Sequence, residues 1–225
     1  MVSLSLRAFS GLFFLLVVMG ALLFIPAGTL DYWQAWLFLA VFGVLGLAIT
    51  VYLMREDPKL LERRMRGGPT AEKSTSQRII MSIVSIGFIA SFVVCGLDHR
   101  AHWSTLSPAV AIAADAVIVL GWTVIFFVFR ENTFTAATIE VAPDQKVIST
   151  GPYAVVRHPM YSGSLIYLLG MPIALGSWWG LFVVIAMMPA LLWRLVDEER
   201  FLAKNLPGYL RYQATVRYRL LPRIW

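Results

Sequence analysis

Gly151-Pro-Tyr-Ala-Val-Val-Arg-His-Pro-Met-Tyr-Ser-Gly163 is a polar, turn-forming stretch set among apolar runs. Gly151-Pro152 and His158-Pro159 both punctuate the backbone, because proline lacks an N–H and biases the residue before it away from the helical region. A short linker of defined shape results. Between and after the prolines lie Tyr153, Arg157, His158 and Tyr161: a fixed cation, a titratable imidazole and two aromatic rings. Composition alone also fits a basic juxtamembrane loop whose Tyr and Arg anchor headgroups. The run that follows, Met160 to Gly176, has 17 residues. It spans about 25 Å as a helix, against the roughly 30 Å of a hydrocarbon core. This helix is therefore expected to be short or to start below the membrane surface.

Working outward, the 225-residue chain is 59% hydrophobic and 14% charged, a balance that belongs to an integral membrane protein. Further apolar runs cover Ala8 to Ile25, Trp33 to Met54, Ile79 to Leu97, Pro108 to Phe129 and Trp178 to Val196, giving about six transmembrane helices in an all-α fold. The first run follows Arg7 but is long and lacks a strong cleavage signal, so it is read as a helix rather than a leader. Four helices over residues 1–130 form one part. Residues 131–225, with the last helical hairpin, its preceding loop and the C-terminal tail, form the part expected to carry cofactor and catalysis.

Of the 19 Lys and Arg residues, 18 fall on one side of the bundle; Arg100 alone falls on the other. The positive-inside rule then places both termini, and the Gly151–Gly163 loop, in the cytoplasm. The net charge of +6 follows from this asymmetry and implies no nucleic-acid partner. The single cysteine, Cys95, excludes an intramolecular disulfide and a cysteine-rich metal site, and reads as packing. His99 and His102 in the outer loop offer too few partners for a metal. Asp115, an acid inside the fourth helix, is expected to make a structural hydrogen bond to a neighbouring helix.

The basic loop Arg55 to Arg78 reads as a surface helix on anionic headgroups. Residues Arg130 to Ser149 are polar and rich in Thr, Val and Ile, with Ile139-Glu-Val read as a short extended piece before a Pro143-Asp144 turn. On the last long helix, Arg194 and Glu198 stand four apart and share a face, where an ion pair is the simple expectation. Both emerge where that helix meets the Arg157-His158 loop, so the hairpin is expected to bring two charged clusters into one pocket. The tail from Pro207 to Trp225 alternates basic and aromatic residues and reads as an interfacial lid.

Gly-Pro-Tyr, then Arg-His-Pro-x-Tyr-x-Gly, then a hairpin ending in Glu-Glu, Gly-Tyr-x-x-Tyr and a terminal Arg-x-x-Pro occur here in order. Together they resemble the isoprenylcysteine carboxyl methyltransferase family and its phospholipid methyltransferase relatives, over about Asn132 to Trp225. The resemblance implies S-adenosyl-L-methionine held by Gln145, Lys146, Val147 and Ile148, by Tyr153, by His158, Pro159, Met160 and Tyr161, and by Glu198 or Glu199. It implies catalytic roles for Arg194 and Arg157, with Arg194 orienting a substrate carboxylate, and no metal. The residue chemistry agrees: carboxylates pair with an ammonium, aromatic walls suit adenine, and arginine holds a carboxylate in two-pronged fashion.

The implied partner is a hydrophobic or lipidic methyl acceptor arriving through the bilayer among membrane lipids. A carboxylate acceptor needs no base, whereas an amine or thiol, as in phospholipid or thiol methylation, would call on His158 or a Glu. Membrane reductases of the sterol and steroid type resemble the same C-terminal region and use NADPH. For their 2'-phosphate this chain offers mainly Lys146 and Arg157. A membrane scaffold without catalytic activity is the third reading.

Overall fold

A computed structural model describes residues 3–225, which form eight α-helices and, among the described residues, no strand. Five helices are long and apolar enough to cross a membrane: α1 (Leu4–Ala27), α2 (Trp33–Glu56), α4 (Thr75–Ala101), α5 (Pro108–Glu131) and α7 (Trp178–Asn205). The sixth apolar run becomes α6 (Pro159–Ala174), whose 16 residues match the short helix expected from its sequence. Two short helices, α3 (Pro58–Met65) and α8 (Tyr209–Thr215), lie at the end of the bundle that carries the Gly151–Gly163 loop.

Local chemistry sets the helix ends. Ser107 caps α5 by accepting from Val110 N, with Pro108 in the first turn where its missing N–H costs nothing. Ser177 caps α7 by accepting from Gly180 N at 2.9 Å. The outer surface is as apolar as the inside, with Phe13, Phe14, Ile86 and Phe182 all exposed, as a lipid-facing wall requires. The core, built on Met19, Leu23, Phe38, Phe92, Ile118 and Met171, is sealed by Tyr32, whose hydroxyl donates to Leu175 O at 2.5 Å.

Helices α5 and α6 approach most closely at Gly121 and Gly163. A Cβ on Gly163 would lie 2.8 Å from Gly121 O, and one on Gly121 would lie 2.7 Å from Gly163 O. Only glycine permits this backbone contact, as at other small-residue crossings in membranes. The last residue of the Arg-His-Pro-x-Tyr-x-Gly motif thus fixes the helix that carries the rest of it.

Three expectations change. Residues 139–141 form no strand but belong to an irregular strap. Within the Arg55–Arg78 stretch, the link between α2 and α4 holds the eight-residue α3 and a 3-10 turn at Pro69–Ala71, and α3 buries Leu60 and Leu61 against the bundle. Asp115 is buried, yet neither of its carboxyl oxygens has a hydrogen-bond partner among the described residues. At the opposite end of the bundle, Asp98 accepts from Ser104 N and Ser104 Oγ, both at 2.7 Å, and from Ser177 Oγ. His99 stacks on Tyr32 with ring centres 3.9 Å apart, so this loop is tied by packing and hydrogen bonds.

Candidate active site

The Gly151–Gly163 loop owes its shape to a positive φ of 55° at Gly151 and to crowding there: a Cβ would lie 2.9 Å from Glu131 Oε2. A 3-10 turn follows over Gly151–Ala154, and the chain then extends through Arg157 and His158 into Pro159, the first residue of α6. Because that stretch is not helical, its amides need partners. Arg157 N donates to Tyr218 O and His158 N to Arg219 O, both at 2.9 Å, so the C-terminal tail supplies them.

Glu199 ties loop and tail together. It accepts from Arg157 Nε at 2.6 Å and Arg219 Nε at 2.7 Å, with His158 Nε2 at 3.3 Å from the same carboxylate. Arg157 Nη1 also donates to Val216 O and Arg217 O, each at 3.0 Å. Two arginines on one buried carboxylate, with an imidazole beside it, form a knot that ties the loop to the tail.

One step along α7, Glu198 points elsewhere, since adjacent helix residues are about 100° apart. Its Oε2 accepts from Tyr161 OH at 2.7 Å, and no Lys or Arg pairs with it among the described residues. The expected Arg194–Glu198 ion pair is therefore not formed. Arg194 Nη1 sits 2.7 Å from Glu72 Oε1 and donates to Gln77 Oε1 at 2.8 Å, while Nη2 donates to Ala137 O at 3.1 Å. Gln77 in turn donates to Asp197. The helix spacing allowed the local pair, but a carboxylate and an amide from another part of the chain offer Arg194 a buried, better enclosed set of acceptors.

Arg157, His158, Tyr161, Arg194 and Glu198 border a cavity of about 380 Å³, within the range of cofactor sites. Its lid is the strap of residues 132–148, which contributes Gln145, Lys146, Val147 and Ile148 to the lining. Gln145 Oε1 accepts from Ala142 N at 2.9 Å, which holds the strap in its turn. Another wall is Tyr153, Arg157, His158, Pro159, Met160 and Tyr161, and a third is Arg194 and Glu198. Tyr209 and Tyr212 of α8 close the side, with Tyr212 OH donating to Tyr153 O at 2.7 Å. Burial raises the pKa of Tyr153, Tyr209 and Tyr212 well above the usual phenol range, so all three stay neutral. On the membrane side the lining turns apolar at Met81, Val84 and Leu191.

Of the residues expected at the site, all but Glu199 line this one cavity; Glu199 stands behind the Arg157–His158 wall and fixes it. Sequence reasoning passed over Arg64, Asn132, Glu72 and Gln77. Arg64 and Asn132 line the cavity, and Asn132 Nδ2 donates to Tyr153 OH at 3.0 Å. Glu72 and Gln77 bind Arg194 from outside that lining. Arg64 and Glu72 lie in the basic stretch that reads as a surface helix on anionic headgroups. The available signal was the pair Leu60-Leu61, which demands that one side of α3 be buried.

None of the curated proteins matches this chain. Residues 108–207, which build α5, the strap, the Gly151–Gly163 loop, α6 and α7, match the family described as phospholipid methyltransferase. The hairpin and loops that enclose most of the cavity thus fall within the stretch that is similar to the phospholipid methyltransferase family.

Proposed function

We propose that the protein is an S-adenosylmethionine-dependent methyltransferase whose acceptor is a hydrophobic molecule ending in a carboxylate, and that the cavity faces the cytoplasm. The observation that carries the cofactor reading is Glu198: a carboxylate on the cavity wall, held by Tyr161 and without a paired Lys or Arg among the described residues. Such a group calls for a cation from the ligand. The aromatic wall of Tyr153, Tyr209 and Tyr212 and the strap over residues 145–148 suit an adenine ring and exclude water.

The bound cofactor would supply an electrophilic methyl group on a sulfonium, which transfers in line and needs no metal. The chain's own residues would position and shield. Arg194, fixed through Glu72, Gln77 and Ala137 O, retains donors beyond those three acceptors and could hold the acceptor's carboxylate. Met81, Val84 and Leu191 would receive its apolar part from the bilayer. A carboxylate is already a nucleophile, which agrees with a site where His158 Nε2 lies 3.3 Å from the buried Glu199 carboxylate. Arg157 would act by holding the loop in shape through Glu199 and the tail.

Calorimetry with S-adenosylhomocysteine tests this reading. Micromolar binding is expected, NADPH should not bind, and Glu198→Gln should weaken the affinity by about 1 to 3 kcal/mol, the worth of a hydrogen bond to a charged group. Absence of S-adenosylhomocysteine binding, or unchanged affinity in Glu198→Gln, would remove the basis of the proposal.

A further inference from the structure

Arg64 lines the cavity from α3, outside the stretch matched by the methyltransferase family. Its guanidinium lies 5.2 Å from the centre of the Phe129 ring, and Nη1 donates to Ala136 O at 2.9 Å. Among the described residues no carboxylate pairs with it, whereas the other two arginines of the cavity wall each have one: Arg157 with Glu199 and Arg194 with Glu72. Burial, and then the like charge of Arg194, depress the Arg64 pKa below the ordinary guanidinium value. A buried cation beside another cation is unfavourable until an anion joins it, and the Phe129 face offsets only part of that cost. The cavity therefore holds one guanidinium without a carboxylate, Arg64, and one carboxylate without a cation, Glu198.

We propose that Arg64 is an anion-binding subsite of this cavity that takes a ligand carboxylate. The proposal rests on the methyltransferase reading, and it adds to that reading a contact supplied by the N-terminal half of the chain. With Glu198 it makes the cavity complementary to a zwitterion, one ammonium and one carboxylate. The methionyl end of the cofactor is such a group, and an acidic acceptor brings a carboxylate of its own. A planar fork on a short amphipathic helix suits two-pronged contact with either. The Phe129 ring beneath it adds a favourable contact to the guanidinium.

Arg64→Gln, purified in detergent, separates the two sources. Binding is measured for S-adenosylhomocysteine, its decarboxylated analogue, N-acetyl-S-farnesylcysteine and the carboxamide of that molecule. Should the carboxylate be the cofactor's, the unaltered protein prefers S-adenosylhomocysteine over the decarboxylated analogue by about tenfold or more. Arg64→Gln then erases that preference without weakening the analogue. Should it be the acceptor's, the farnesylcysteine acid-over-amide preference is the one erased. Both preferences surviving in Arg64→Gln with an unchanged thermal midpoint would overturn the proposal. If Arg64→Gln loses its fold, Arg64→Lys carries the test: partial retention of one carboxylate preference is expected, and equal weakening of all four ligands overturns the subsite. An unaltered protein that binds neither nucleoside refutes the proposed function instead.

Discussion

Replacing Glu72 by leucine should unbalance the bundle at the point where two distant segments meet. Arg194 and Glu72 have side chains only 9% and 2% exposed, with Nη1 and Oε1 2.7 Å apart. In Glu72→Leu the guanidinium stays buried with only the Gln77 and Ala137 carbonyls for company. Removing one partner of such a pair costs about 3 to 5 kcal/mol, because the remaining charge is desolvated and uncompensated. At about 2 to 4 °C per kcal/mol for a chain of this size, the midpoint should fall by roughly 6 to 20 °C. The molecule carries its own reporter, since Cys95 is its single cysteine and is 0% exposed. A thiol-reactive fluorophore in detergent micelles will therefore report unfolding as Cys95 emerges. The double variant Glu72→Leu, Arg194→Leu removes both charges and should recover most of the loss, as buried ion pairs replaced by apolar residues commonly do. A Glu72→Leu midpoint within about 2 °C of the unaltered protein, or a double variant no better than the single one, would refute the account.

Glu199→Gln should loosen the tail, because Arg157 and Arg219 lose their shared carboxylate. Each 1.4 kcal/mol of lost docking opens the tail about tenfold more often, so limited trypsin digestion at exposed Arg217 should accelerate by at least that factor; an unchanged rate contradicts the knot. Gly163→Ala would push a methyl group to 2.8 Å from Gly121 O. It should cost about 1 to 3 kcal/mol in the same thiol assay, and a neutral result would deny the close crossing of α5 and α6. For orientation, Thr105→Cys presents an exposed thiol at the end of the bundle opposite the cavity, whereas Cys95 is shielded. An impermeant maleimide should label it in intact cells, and labelling only after lysis would invert the topology.

The helices were legible because their apolar runs are long, and the short α6 was legible because its run stops at the 17 residues between Pro159 and Ser177. The loop was legible for a different reason: prolines and glycines mark backbone shape directly, and Gly151 and Gly163 occupy positions where a side chain would collide. Partners were not legible. Spacing along α7 places Arg194 and Glu198 on one face, but whether they meet depends on what else approaches, and Glu72, more than a hundred residues earlier, reaches Arg194 first. Glu198 and Glu199 were equivalent as letters; the turn of the helix sends one to the cavity and the other to Arg157. Arg64 was hidden by its neighbours, since it stands in a run of charges in which Arg66 pairs with Glu62 at the surface and Arg63 donates to Thr133 O of the strap, and only burial of Leu60 and Leu61 turns α3 inward.

The pairing of Arg157 N and His158 N with the carbonyls of Tyr218 and Arg219 joins residues that leave the ribosome far apart in time. Both helices of the α6–α7 hairpin must be synthesised before those carbonyls exist. Until then the amides of the loop have only water or lipid headgroups to satisfy them, and the knot at Glu199 lacks Arg219. Assembly of this site should accordingly be a late event in biosynthesis. A chain truncated before Tyr218 would keep all of its long helices yet lack both carbonyls and Arg219.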